Sequence, residues 1–313
     1  MNKAKDLETL HQLSLPDEAH HLTIITVAYK STESLKTLAA SIANQSARPT
    51  LWLIVDNSPF RDRLKPDHEW ISSGNIKTYL LPGKEDTGFA AGCNRGLQWL
   101  EDHGWQGWVW LLNPDAILSD RNSISKLIKM QRSLPSNALV GTTVRSIDGR
   151  FEKSAGWIEK GLNFRKRTLI PHRISSEDST SEVVEVDWLS GCSMLLKPGV
   201  HSKTPRFDEQ FSLYYEDLDF CLRHAASGKP VLWTNVITVD HQRGEGSTTP
   251  SQRRLRLSTV GYLRFLQRHR PRWQLHLRSL RLLGMSFLRF PIQPRRSLAV
   301  LQGWWEATCH PIR

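Results

Sequence analysis

Three acids, Glu216, Asp217 and Asp219, fall inside the run Phe211–Arg223, among two tyrosines and several apolar residues. A carboxylate in such surroundings can accept a proton from a hydroxyl group. A helix starting near Glu216 brings Glu216, Asp219 and Arg223 near one face and turns Asp217 elsewhere. An acid at a helix start also interacts favourably with the helix dipole, which accounts for one of the three. Asp115 follows the apolar run Trp108–Leu112, where a carboxylate costs stability unless it has a partner. It suits Mg²⁺ or Mn²⁺, which take oxygen ligands, or it caps the segment that follows. His241 comes after a second apolar run, Val231–Val239, and is either a structural histidine or a nitrogen ligand to the same ion. Asp56 follows five apolar residues. It is either a turn-former with a local hydrogen bond or an acceptor for a nucleotide base or ribose.

The elements around these residues follow from periodicity. Leu22–Ala28 is a nearly continuous apolar, β-branched run, which makes sense only for a strand covered on both faces. Ser31 or Thr32 can cap a helix with Leu35, Leu38, Ala39 and Ile42 on one side. Strands follow at Leu51–Val55, Ile76–Leu81 and Trp108–Leu112, with a helix within Phe89–Leu100. Strands alternating with helices define an α/β sheet flanked by helices. Further on, Ser119–Leu134 reads as a helix and Leu139–Val144 as a strand. Arg165–Ser181 reads as a loop, and Val183–Leu196 as strand material interrupted near Gly191. Asp217–Ala226 reads as a helix, Arg253–His269 as an arginine-rich helix, and Trp273–Phe290 as a second basic, apolar-striped segment. Ligands bind outside the carboxyl ends of strands in open α/β sheets, so Asp56 and Asp115 should open onto one rim. No glycine-rich phosphate fingerprint follows the first strand, so a diphosphate bound here needs another partner, for which a divalent metal is the usual choice.

Taken in order, these fragments resemble the family 2 inverting glycosyltransferases of the GT-A fold, in their bacterial rhamnosyltransferase-like branch. The resemblance covers about residues 22–247. It rests on Thr26-Val27-Ala28-Tyr29, Val55-Asp56-Asn57-Ser58, Thr87–Gly96, Leu111–Asp115, Trp188–Cys192, Phe207-Asp208-Glu209, Tyr215–Asp219 and His241. It implies a mixed sheet flanked by helices, with a catalytic unit over 1–250 followed by a basic helical extension over 251–313. The nucleotide-sugar half would span about 22–115 and the acceptor half about 116–250. The resemblance further implies a donor site made by Thr26, Ala28, Tyr29, Asp56, Asp86, Gly88, Asn113, Trp188 and Asp219. Asp115 and His241 would hold Mg²⁺ or Mn²⁺, and Asp217 would be the general base with Glu216 beside it. Asn113-Pro114-Asp115 stands where relatives have Asp-x-Asp, and Asp86 where they often have asparagine. The expected donor is a dTDP- or UDP-sugar, with rhamnose from dTDP-rhamnose the first choice and a UDP-hexose the second.

Composition narrows the partners. The chain has 313 residues, enough for a full apolar core, and four scattered cysteines that fit a reducing cytosolic setting better than a disulfide scaffold. No apolar signal stretch opens the chain, and no window reaches the roughly 18 apolar residues a spanning helix needs. From Arg253 onward thirteen Lys or Arg face one acid, Glu306, while the first 252 residues sum to −1 against a whole-chain +11. A basic, leucine-rich tail over 253–290 points to an anionic membrane surface and hence to a lipid-linked saccharide acceptor, with the enzyme peripheral on the inner face of the cell membrane. A helical pair packed on the body, a homo-oligomer contact and nucleic-acid binding are the alternatives for the tail. Nucleic acid is disfavoured because no stacking aromatics form a recognisable sheet motif. A nucleotidyltransferase would want a basic loop after the first strand, where only Lys30 stands. A degenerate transferase kept as a binding module is the remaining rival.

Overall fold

The computed structural model describes residues 22–65, 68–72, 76–159, 166–170, 183–199, 204–242 and 251–312. Its strands are β1 (Leu22–Ala28), β2 (Leu51–Asp56), β3 (Thr78–Pro82), β4 (Trp108–Leu112), β5 (Ala116–Ile117), β6 (Leu139–Ser146), β7 (Ala155–Ile158), β8 (Lys166–Thr168), β9 (Val183–Glu185), β10 (Trp188–Leu189), β11 (Ser193–Leu196) and β12 (Val231–His241). Its helices are α1 (Thr32–Ala43), α2 (Glu69–Ser72), α3 (Phe89–Asp102), α4 (Ser123–Met130), α5 (Glu216–Ala226), α6 (Gln252–His269), α7 (Arg272–Arg289) and α8 (Pro294–Cys309).

The main sheet runs β3-β2-β1-β4-β11-β6-β12-β5, with β9 on β12. The first four strands are parallel. The sheet becomes mixed where β11 inserts antiparallel between β4 and β6. A three-stranded sheet, β10-β7-β8, lies beside it. All seven residues of β1 are buried, as a run covered on both faces requires. Alternate side chains go to opposite layers. Ile24, Trp52 and Ile54 meet Leu35, Leu38 and Ile42 of α1, whereas Ile25, Val27 and Leu53 meet Cys93, Leu97 and Leu100 of α3.

The register fixes which ends share a rim. Ala28 pairs with Asp56, and Asp56 with Pro82. Ser193, the first residue of β11, pairs with Leu112, the last of β4. His241 pairs with both Ser146 and Ala116. The ends of β1, β2, β3, β4, β6 and β12 and the starts of β5 and β11 therefore lie along one edge.

Several sequence expectations change in detail. The helix expected over Ser119–Leu134 is only Ser123–Met130, because turns flank it. Val183–Leu196 splits into three strands in two sheets. Ser31 stands at the N-cap of α1 without capping it, and its hydroxyl accepts from the Tyr29 N–H instead. Of the loop expected at Arg165–Ser181, Lys166–Thr168 is strand β8, while Arg165 and residues 171–181 lie outside the described residues. Gly244, Gly246 and Ser247 lie outside them too.

The tail is helical throughout. Val260, Leu263, Phe265 and Leu266 of α6 are buried against Trp188, Phe211 and Leu218. Each buried side chain of that size stabilises the contact by about 2 kcal/mol. Among the described residues no helix is long and apolar enough to cross a membrane.

Candidate functional site

The segment before α5 is the most constrained part of the site. Tyr214 and Tyr215 both adopt positive φ, 66° and 69°, which non-glycine residues rarely do. Packing holds them there. The Tyr215 ring lies 5.8 Å from Tyr262 and 5.6 Å from Phe265 of α6. Gly261 permits that approach: a Cβ on it would stand 2.7 Å from the Tyr214 carbonyl oxygen. Gly88 makes a similar approach on the other side. It has φ of 87°, and a Cβ there would stand 1.9 Å from the Ser212 carbonyl oxygen. Expected as a donor contact, Gly88 is thus a backbone seat for the acid-bearing turn.

From this turn Asp217 is presented with both oxygens oriented. Oδ1 accepts the Leu218 N–H at 2.8 Å and Oδ2 the Gly191 N–H at 3.1 Å. Gly191 lies between β10 and β11, so Asp217 is tied to the common rim. Glu216 is buried, and its Oε2 has no hydrogen-bond partner among the described residues. Burial, reinforced by the neighbouring Asp217 charge, pushes its carboxyl up to about 8. A carboxyl raised in the folded state binds more protons than in the unfolded state. Stability should therefore fall as pH rises from the ordinary glutamate range to about 8. Glu216→Gln is expected to flatten that slope in unfolding midpoints measured across pH 5 to 8, a window about as wide as the shift itself. An unchanged slope would show that Glu216 is not its source.

Asp219 differs from both neighbours. It is fully buried, and its oxygens are taken by Arg223 at 2.7 Å, His269 at 2.8 Å and Arg268 at 3.1 Å. Burial alone would raise its carboxyl, and these partners bring it below the usual carboxylate range. The donor contact implied for Asp219 is therefore corrected: the residue is the anchor that fastens α6 to α5.

At the other end of the rim, His241 is the last residue of β12 rather than a residue beyond it. Its Nε2 lies 3.1 Å from Asp115 Oδ1 and its Nδ1 3.2 Å from Glu152 Oε1. Burial would lower the imidazole, but the two carboxylates push it up to about 9. Sequence reasoning missed Glu152. It sits just after the hairpin Ser146–Arg150, whose one signal is the turn pair Asp148-Gly149. Asp115 Oδ1 is buried, and no donor is aligned on it for a hydrogen bond among the described residues. A carboxylate oxygen and an imidazole nitrogen that approach without such alignment fit a shared cation. Among the described residues no three His, Cys, Asp or Glu side chains form a cage able to hold a metal by themselves. A cation here would need substrate or water oxygens to complete its shell. Asn113 is half-buried beside this pair, its N–H donated to the Cys192 carbonyl oxygen at 3.0 Å.

The nucleotide half divides into inner and outer residues. Thr26, expected in the nucleotide pocket, is fully buried with its hydroxyl accepting from Trp52 Nε1 at 3.0 Å, so its side chain does not face a ligand. Ala28 is buried too, and its carbonyl oxygen accepts the Asn57 N–H. Asp56 is 2% exposed and accepts from the Ser58 and Leu64 N–H groups at 2.9 and 2.7 Å. It is visibly a loop organiser. Tyr29 is exposed, and its hydroxyl accepts from Arg253 of α6 at 3.3 Å. Arg253 also reaches Asp86 at 3.3 Å. The Tyr29 hydroxyl and then Arg253 hold the Asp86 carboxyl below its ordinary value. Arg253, read from sequence only as part of the tail, thus belongs to this rim. Trp188 is buried, and its indole N–H has no acceptor among the described residues. Lys166 Nζ sits 4.9 Å from the Trp188 ring centroid and 5.3 Å from that of Tyr215.

A cavity of about 290 Å³ lies far from this rim, near Leu139 and Leu196 at the opposite ends of the strands, and bears on none of these residues.

Known proteins resemble the chain in sequence and in fold. The profile of glycosyl transferase family 2 matches residues 23–190. The N-acetylglucosaminyl-diphospho-decaprenol L-rhamnosyltransferase of Mycobacterium tuberculosis is 25% identical over 300 residues, covering 88% of this chain and 94% of the relative. The low-salt glycan biosynthesis hexosyltransferase Agl10 of Haloferax volcanii is 25% identical over 202 residues, 64% of this chain and 61% of its own. The crystal structure of GalNAc-T7 with UDP, GalNAc and Mn²⁺ superposes with a TM-score of 0.56 at 13% identity, over 79% of this chain and 47% of that one. The chain thus spans less than two thirds of two of these three proteins. The structural likeness carries the fold, an α/β GT-A arrangement of mixed sheet and flanking helices.

Proposed function

Because the chain belongs to glycosyl transferase family 2, we propose that it moves a sugar, with inversion, from a nucleoside diphosphate to the hydroxyl group of a saccharide or lipid-linked saccharide. One observation carries this reading: Asp217 is held by the Gly191 N–H on the same strand rim that carries Asp115 and His241. Asp217 accepts the proton of the attacking hydroxyl, and a single displacement needs no covalent nucleophile on the enzyme. Glu216, whose carboxyl burial pushes up to about 8, stays largely neutral beside Asp217. Asp115 and His241, once the imidazole gives up the proton its two carboxylates favour, would hold Mg²⁺ or Mn²⁺, which would neutralise charge growing on the departing diphosphate. Tyr29, Asp86 and Arg253 border the nucleotide end. The oxygens of Asp56 already serve the Ser58–Leu64 loop, so we assign it the shaping of that end.

For the donor we favour dTDP-rhamnose. The support is the mycobacterial rhamnosyltransferase, which aligns over nearly its whole length. A UDP-hexose is the second reading, supported by the haloarchaeal hexosyltransferase. The name of the mycobacterial relative also supports a polyprenyl-linked acceptor, and with such an acceptor we place the enzyme at the inner face of a cell membrane, in cell-surface polysaccharide synthesis. A thermal-shift panel of nucleotide sugars with and without Mn²⁺ or Mg²⁺ tests the assignment. A dTDP-sugar should raise the unfolding midpoint most, more so with metal, and Asp115→Ala should abolish the metal-dependent increment. A response to UDP-sugars alone would move the assignment to hexose transfer, and no response to any nucleotide sugar would end it.

A further inference from the structure

Helix α7 is apolar on two sides, and the protein covers only one. Leu275 and Leu282 pack inward against the cluster around α6, while Gln274 and Ser286 are buried at the same seam. Trp273, Leu277, Leu280, Phe287 and Leu288 recur at helical spacing on the outer side and are 49 to 75% exposed. Ile292, just past the helix, is 81% exposed. From Arg270 through Trp305 there are seven arginines and no acid. Arg272 and Arg281 of the same helix are exposed as well.

We propose that the outer stripe of α7, with the exposed arginines of the same helix, is a docking surface for an anionic phospholipid bilayer. It rests on the membrane-side acceptor reading above and narrows it. The α6 half of the basic tail is not part of the surface, because its apolar residues are used against the body. The stripe inserts among acyl chains, and the arginines reach headgroup phosphates with their stems over apolar surface. Charge disfavours the other occupants. A second copy of the chain would set arginine against arginine, and a nucleic acid would leave the stripe in water.

The test is sedimentation of the full chain with vesicles of phosphatidylcholine alone or mixed with phosphatidylglycerol, at low and high salt. Neither donor nor metal is present, so the transferase reading can fail without affecting the result. Binding should be about tenfold stronger to the anionic vesicles and weaken with salt. Leu280→Glu combined with Phe287→Glu should reduce it by a further tenfold or so, with the unfolding midpoint unchanged because both side chains are exposed. Arg272→Ala with Arg281→Ala should lessen the preference for anionic lipid. Lack of binding to either vesicle, or equal binding by the double glutamate variant, overturns the proposal. So does a dimer in solution that the same variant dissociates, or tighter binding to duplex DNA that it leaves unchanged.

Discussion

Asp217→Asn is expected to lower kcat by about a thousandfold, within the range a positioned general base contributes. The amide keeps the size of the side chain but cannot accept the acceptor's proton. It also sets its NH₂ against one of the two backbone donors, the Gly191 or Leu218 N–H, at a local cost of about 1 kcal/mol. Donor affinity should stay within a few-fold of the parent, because neither donor end of the rim is touched. Single-turnover transfer measured beside donor binding separates the two quantities. A variant that still transfers within about tenfold of the parent rate would remove Asp217 from the base position.

Asp219→Ala, two residues on, should do the opposite. Arg223, Arg268 and His269 all point at one fully buried carboxylate. Removing it leaves Arg223 and His269 without that acceptor and Arg268 with Asp208 alone, and breaking a buried pair in this way costs about 3 kcal/mol or more. The unfolding free energy should drop by that amount, measured by denaturant titration, and transfer should fall only as far as the folded fraction does. Unchanged stability with a weakened donor Kd would restore Asp219 to the donor site. Glu216, Asp217 and Asp219 thus carry three separate physical tasks within four residues.

Those tasks were only partly legible in the sequence. β1 and β4 could be read to the residue, because a continuous apolar run has one sensible place in an α/β sheet. β5 and β10, two residues each, have no period to detect, and α8 carries mixed residues with no clean stripe. The pairing of Asp115 with His241 was an expectation from the family resemblance, and the two do lie together. Glu152 was not expected, because it hangs on a hairpin outside any long strand. Asp219 looked like a site acid because type and spacing cannot reveal Arg268 and His269, some fifty residues away. Thr26 and Asp56 sat at the right strand end, yet their side chains bond inward to Trp52 and to the next loop. Strand ends locate a rim, and only three-dimensional packing decides which side chains face out of it.

The contact of Gly261 with the Tyr214 backbone has a consequence for how the protein comes into being. The turn that aims Asp217 is strained by itself and is seated only once the helix bearing Gly261 has closed over it. That helix follows the last strand of the sheet in the chain, so during synthesis the turn can be seated only after every strand has been made.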